Sequence, residues 1–238
     1  MVKLNVNMFV SVLVLAAGKG ARLKSRVPKP LVKILNKPAM LYALEEFNRH
    51  PLIKEIIIVV NSDNEKKILS LVSSRKINKV IAIVKGGKRR QDSVVNGLKA
   101  LGAESELVLI HDAARPFINR GLISSVINYA LKFGAAIPAV PVKVTIKKAK
   151  MVVKNLCIEK TVARENLWEA HTPQGFKTSL IRKAYDRFGK DDVTDDASLI
   201  EKIKVPVAIV SSSVFNIKIT TPEDLLIAEA IARKLKKV

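Results

Sequence analysis

The sequence predicts an α/β domain built on a doubly wound, mostly parallel sheet. Two observations predict it. Apolar runs recur at Val10–Leu15, Glu55–Val60, Val80–Val84 and Leu107–Ile110. They read as strands covered on both faces, not as half-exposed ones. Segments with helical signals separate them, and strand–helix alternation of this kind winds helices onto both faces of a parallel sheet. Ligands of such sheets gather at the carboxyl ends of the strands. The loops after the first, third and fourth runs are therefore where a site is expected.

In chain order, the first run ends in Ala16, Ala17, Gly18 and Gly20, with Lys19, Arg22, Lys24, Arg26 and Lys29 close behind. Pro38 to His50 carries Leu41, Leu44 and Phe47 at helical spacing, with proline suited to the first turn. Ser62 or Asp63 is expected to cap a helix running to about Ser73. A helix over Gln91–Leu101 is expected to stop at Gly102. Asn119 caps another to about Phe133, with Gly134 as its stop.

From Ala136 the pattern changes. Ala136–Val140 is a short strand ended by Pro141. Val144–Lys147 and Val152–Ile158 read as two more, joined through Lys148–Met151. The stretch of about 142–165 has too few apolar residues for a core of its own and is expected to project as a β-arm. An isolated hairpin is marginal in water, so the arm is expected to pack on a partner, most simply a second copy. Trp168–Phe176 reads as a turn-rich loop, Thr178–Phe188 as a helix, and Val205–Val210 and Phe215–Ile219 as strands. Asp195 and Asp196 are read as caps of the next helix. Thr221-Pro222-Glu223-Asp224 opens the last helix.

The 238 residues include 48% hydrophobic side chains, enough for one sizeable core and too many for a disordered chain. No apolar run reaches the roughly 18–20 residues of a membrane span. The opening MVKLNVNMFVSVLVLAAG has the outline of a secretory leader. Its first region is weakly charged, however, and the would-be cleavage point falls inside the glycine loop. A cytoplasmic protein is expected, with residues 1–7 a dispensable extension and Met8 a candidate start. Cys157 is the single cysteine, so no internal disulfide can form. It is expected to be a packed small hydrophobe. The net charge is +21. Polyanionic substrates or general lysine dressing account for it better than nucleic-acid binding. The cations form no block of five, and only three tyrosines and one tryptophan are present to stack on bases.

Three loops carry chemistry. The first lets backbone N–H groups approach an anion while cations converge on it, an environment fit for a polyphosphate. Its glycine spacing matches neither G-x-x-x-x-G-K-[ST] nor G-x-G-x-x-G. The second, Lys85 to Ser93, has paired glycines and Ser93 in the first turn of a helix, where N–H groups point outward. The third is His111-Asp112-Ala113-Ala114-Arg115-Pro116. Asp112 can accept hydroxyl hydrogen bonds or help position a hydrated divalent cation. Arg115 can grip a phosphate, or the two can form a buried pair that only shapes the loop. His111 is structural, since no second histidine or Cys/His cluster stands at ligand spacing.

LAAGKGARL, PKPL, GGKRRQDSV, HDAARPF, TVARENLW, HTPQGF, TDDAS and NIKITTPEDL follow one another from about residue 12 to 228. Together they resemble the 2-C-methyl-D-erythritol 4-phosphate cytidylyltransferases of the non-mevalonate isoprenoid route. The resemblance implies a Rossmann-like, nucleotide-diphospho-sugar transferase-like fold. It also implies a homodimer whose arms reach into each other's sites, and transfer of a cytidylyl group from CTP to the polyol phosphate with Mg²⁺. It further implies that Ala16, Ala17, Gly18 and the Gly20 loop hold the nucleotide. Gly87, Lys88 and Ser93 would lie at the cytosine edge, and Ala113 at the ribose. Arg22 and Lys29 would stabilise charge on the α-phosphorus. Asp112, Arg115, Thr145, Arg164, Thr172 and Lys218 would surround the acceptor, with Arg164 and Lys218 as clamps on its phosphate. No metal-ligating side chain is implied; the Mg²⁺ would be held mainly through the CTP phosphates.

Two positions depart from the family pattern. Val144 stands where the arm's P-V-x-D-T has aspartate, and Lys88 where an acidic residue often follows the paired glycines. The nearest alternative is ribitol-5-phosphate cytidylyltransferase, whose loops usually read L-A-G-G and H-D-A-V-R-P. Ala17 and Ala114 favour the isoprenoid enzyme. A non-catalytic nucleotide-binding protein on the same fold is disfavoured, because Arg22, Lys29, Arg164 and Lys218 are all retained.

Overall fold

The computed structural model describes residues 8–18 and 27–236. Residues 1–7, Gly20 and Arg22 lie outside the described residues. The chain begins with β1 (Val10–Ala16), followed by a 3-10 turn at Lys29–Leu31 and a small ladder of β2 (Lys33–Ile34) and β3 (Lys37–Pro38). Alternation follows: α1 (Ala39–Arg49), β4 (Ile53–Val60), α2 (Glu65–Ser74), β5 (Val80–Lys85), α3 (Arg90–Lys99), β6 (Leu107–Asp112), α4 (Arg120–Phe133) and β7 (Ala135–Pro141). Then come β8 (Ile146–Val152), β9 (Asn155–Val162), β10 (Trp168–Ala170), β11 (Gln174–Lys177), α5 (Thr178–Phe188), α6 (Ala197–Lys202), β12 (Ala208–Ser211) and α7 (Pro222–Lys236).

The central sheet has the order β10-β7-β11-β6-β1-β4-β5, with β12 beside β7. β1 lies between β6 and β4, parallel to both, and β5 extends that parallel half. β11 is antiparallel and separates β6 from β7. The pleat sends alternate side chains to opposite faces. Val12 and Val14 pack under α1 and α4 with Leu44, Phe47 and Ile123, whereas Leu13 packs on the other face with Val94 of α3 and Ile181 of α5. A buried residue at nearly every position of β1 follows from this two-sided cover. The sequence therefore reads correctly as a doubly wound, mostly parallel sheet.

Several local readings are corrected. Asn64, not Ser62 or Asp63, is the N-cap of α2, and its N–H donates to Asn61 Oδ1. The third helix ends at Lys99 with Ala100, not Gly102, as its C-cap, and Gly102 N–H is taken by the buried Glu55 carboxylate at 3.2 Å. Trp168–Phe176 contains two short strands that pair with β6 and β7. Phe215–Ile219 joins no ladder. Its apolar period serves contact with α7, and Ile219 N–H bonds the Ala114 carbonyl instead. The strand expected from Val205 starts at Ala208. Asn119 and Gly134 behave as expected: Asn119 Oδ1 accepts from Leu122 N–H, and Gly134 takes φ +91°.

The arm is a two-stranded ribbon that pairs only with itself, and its turn lies at Val153–Lys154 rather than within Lys148–Met151. Alternating lysines hid the continuity of β8, since neither face of the ribbon is covered. Ala149, Met151, Leu156 and Ile158 share one face, with Leu156 73% exposed. Cys157 is exposed on the other face, not packed.

Candidate active site

The carboxyl ends of β1, β5 and β6 converge, and their loops are joined by contacts that explain their sequences. Ala16 closes β1, and Ala17 and Gly18 lead outward. A Cβ at Gly86 would stand 2.6 Å from Ala17 Cβ and 2.7 Å from Ser93 Oγ, so glycine is required for the two loops to touch. At Gly87 a Cβ would meet Asp92 Cβ at 2.2 Å. Gly87 N–H donates to Ser93 Oγ at 3.1 Å, and that hydroxyl donates to the Arg89 carbonyl. Lys88 is exposed beside them. At the start of α3 the Asp92 carboxylate accepts from the Arg89 N–H at 3.0 Å and from its guanidinium at 2.7 Å. Lys29, in the 3-10 turn after Pro28, is half-buried.

Asp112 ends β6, with only 13% of its side chain exposed. Its Oδ2 lies 2.6 Å from Lys218 Nζ, and its Oδ1 lies 3.7 Å from Arg90 Nε. Burial alone would raise its carboxyl, but Lys218 and then Arg90 overcome this and hold it down to about 2. Ala113 N–H bonds the Leu15 carbonyl, which fixes the β6 loop against β1.

Thr172 Oγ1 accepts from Asp112 N–H at 3.1 Å and lies 3.0 Å from His111 Nδ1. The other ring nitrogen, Nε2, faces the Arg115 carbonyl at 3.0 Å and so carries the proton. The Thr172 hydroxyl therefore donates to Nδ1. Burial pushes the His111 pKa down to about 4, which keeps this neutral arrangement near neutral pH. Arg115 is buried, with Nη1 2.6 Å from the Asn216 carbonyl and Nη2 3.3 Å from the Ala170 carbonyl. Asn216 Nδ2 returns a bond to the Thr172 carbonyl. Arg115 thus ties together the β6 loop, the end of β10 and the strap that carries Lys218.

The structure brings Asp112, Ala113, Arg115, Thr172 and Lys218 together, and Ala17, Gly87 and Ser93 next to them. Thr145 and Arg164 are elsewhere: both are exposed at the base of the arm, and Arg164 donates to the Lys143 carbonyl. No hydrogen bond or ion pair among the described residues joins either one to the Asp112 cluster. Sequence reasoning missed Arg90, Asp196 and Tyr185. Arg90 Nη2 lies 2.6 Å from Asp196 Oδ2, and Asp196 Oδ1 accepts from Tyr185 OH at 2.5 Å. Asp195 caps with its side chain, bonded to Ser198 N–H and hydroxyl, whereas Asp196 holds the N-cap position of α6 without a side-chain cap bond. The available signal was two adjacent acids where one cap suffices.

No group of three or more His, Cys, Asp or Glu side chains able to hold a metal stands together among the described residues. The one carboxylate of the cluster already faces two cations. Asp112 is the carboxylate here that would meet a hydrated metal. Among the described residues, no helix is long and apolar enough to cross a membrane.

A family model described as "IspD: 2-C-methyl-D-erythritol 4-phosphate cytidylyltransferase" matches residues 10–234. The 2-C-methyl-D-erythritol 4-phosphate cytidylyltransferase of Geobacillus kaustophilus is 44% identical over 221 residues, 92% of this chain and 95% of the relative. The crystal structure of 4-diphosphocytidyl-2C-methyl-D-erythritol synthase from Anaerococcus prevotii superposes with a TM-score of 0.82 at 32% identity, covering 95% of this chain and 96% of that one. The Thermus thermophilus cytidylyltransferase gives 0.77 at 33%, covering 95% and 100%.

Proposed function

The chain belongs to the 2-C-methyl-D-erythritol 4-phosphate cytidylyltransferase family of nucleotidyltransferases, and on that premise we propose that it transfers the cytidylyl group of CTP to 2-C-methyl-D-erythritol 4-phosphate, releasing pyrophosphate. The observation that carries the reading is the junction of two loop systems. The glycine loop that touches Ala17 lies at the same sheet edge as the Asp112–Lys218 pair. One is suited to a nucleotide, the other to a hydroxylated phosphate.

The acceptor's phosphate oxygen is already anionic, so no general base is needed. The difficulty is electrostatic: one anion attacks another. Backbone groups of Ala16, Ala17, Gly18, Gly87 and Ala113 hold the nucleotide, with Ser93 bracing the second glycine. Arg22 and Lys29 bear on the α-phosphate and offset the charge that grows there. Asp112 accepts from acceptor hydroxyls, and Lys218 turns toward the acceptor phosphate, aligning it for in-line displacement. Thr172 and Arg115 shape that pocket. Magnesium bound to the triphosphate would neutralise part of its charge. Arg164 and Thr145 come from the arm of a second copy, giving a homodimer that works in the cytoplasm. The exposed apolar face of the ribbon supports this, since a bare hairpin is marginal.

The test is pyrophosphate release with CTP or UTP, and with methylerythritol phosphate or ribitol 5-phosphate. Release with CTP and methylerythritol phosphate alone is expected. Release only with ribitol 5-phosphate moves the assignment to the sister enzyme, and release with no pair overturns catalysis.

A further inference from the structure

Arg90 occupies a place that neither the nucleotide loop nor the acceptor pocket explains alone. It lies in the first turn of α3, with its side chain 28% exposed, and its partner Asp196 is fully buried. A buried carboxylate needs a cation and further hydrogen bonds, and Asp196 has both in Arg90 and Tyr185. A purely structural pair would end there. Instead the guanidinium stands between two carboxylates, with its Nε edge 3.7 Å from Asp112 Oδ1. That distance is too long for a hydrogen bond and close enough for strong attraction.

The two cations on Asp112 differ in freedom. Lys218 is a flexible stem with a side chain 41% exposed, whereas Arg90 is held by Asp196. A doubly charged acceptor phosphate attracts the Lys218 ammonium. If Lys218 were the sole partner of Asp112, its departure would strand a nearly buried carboxylate, which is costly. Arg90 remains behind. We propose that Arg90, anchored on Asp196 and Tyr185, is a positioning residue that keeps Asp112 compensated, so that Lys218 is free to engage the acceptor phosphate. This rests on the transfer reaction proposed above.

The experiment is steady-state kinetics of R90M, R90K and Y185F with CTP and methylerythritol phosphate varied in turn. In R90M, kcat should fall on the order of 10²-fold. KM for methylerythritol phosphate should rise about tenfold or more, while KM for CTP stays within about threefold. R90K should recover at least about tenfold of the lost kcat. Y185F keeps both charges and should lose only a few-fold in kcat. It also guards against R90M failing to fold, as does R90K. Near-normal turnover in R90M overturns the proposal. So does an equal rise in both KM values, or an R90K no better than R90M at equal melting temperature. If the wild-type protein itself releases no pyrophosphate, the transfer reading fails and the role of Arg90 falls with it. If the wild type is active and R90M matches it, only the role of Arg90 falls.

Discussion

The carboxyl edge of the sheet and the arm are built on opposite principles. At the edge, Asp112, His111, Thr172, Arg115 and Lys218 are bonded to one another and to backbone from several elements. Each hydrogen bond there fixes the next group. In the arm, β8 and β9 pair only with each other, and Val144, Met151, Leu156 and Ile158 face outward. The edge is finished within one chain; the arm has an apolar face and two predicted site residues, Thr145 and Arg164, that no hydrogen bond or ion pair among the described residues joins to the Asp112 cluster. Pre-organisation therefore resides in the sheet, and the arm is the half that the proposed second copy would complete.

Removing a cation from the sheet half gives the largest expected effect. Lys29→Ala should lower kcat on the order of 10²–10³-fold or more, as losses of single charge-stabilising donors do. Single-turnover pyrophosphate release measures it, and near-normal turnover would remove Lys29 from the chemistry. The arm half is tested by complementation. Arg164→Met and Lys218→Met are each expected to be nearly inactive. Co-refolded at equal amounts, they should regain about a quarter of wild-type activity, because half of randomly paired twofold dimers carry one intact site of two. No recovery would mean that both residues act within one chain, and the comparison above would fail.

Acid sharpens the contrast. Burial lowers the pKa of His111 and of His50 from 6.5 to about 4. The unfolded chain then binds more protons between those values, so stability is full above pH 6.5 and is lost as pH falls toward 4. His111 alone accounts for ~3 kcal/mol across that window. Asp112, held at about 2, adds a further loss only below its unfolded value of 3.8. Burial lowers the pKa of His171 as well, so urea midpoints between pH 7 and 4 should fall accordingly, and His50→Gln should remove part of the drop, less than half. A flat midpoint would contradict the burial argument. The arm holds no histidine, so its amide exchange should not follow this curve.

The parallel half of the sheet was legible because covered strands leave nearly unbroken apolar runs, as in Val10–Leu15 and Glu55–Val60. Asn119 and Gly134 were legible because each does one local job. Phe215–Ile219 was not: its alternation is real but answers to α7, and a period cannot say which neighbour it serves. The loops carrying Asp112 and the paired glycines were legible as lying at the carboxyl ends of parallel strands, and Lys218 as a neighbour of Asp112 only through the resemblance to the family. Arg90 was lost among Lys88, Arg89 and Arg90, since three adjacent cations look alike until one finds a buried carboxylate. Asp196 was lost for the converse reason, standing beside an acid that does cap.

The smallest expected effect isolates the contact between the two nucleotide loops. In Gly86→Ala, the added methyl meets Ala17 Cβ and Ser93 Oγ at under 3.0 Å, so one of them has to yield. If Ser93 turns away, Gly87 N–H loses its acceptor. If Ala17 yields, the end of β1 shifts from the nucleotide. Either way KM for CTP should rise about tenfold, a cost of about 1.4 kcal/mol, with the acceptor's KM little changed. Ala17→Gly in the same chain removes one of the two clashes. It should recover part of the loss if β1 is what moves, and none if Ser93 is. A double-mutant cycle on KM for CTP separates these outcomes.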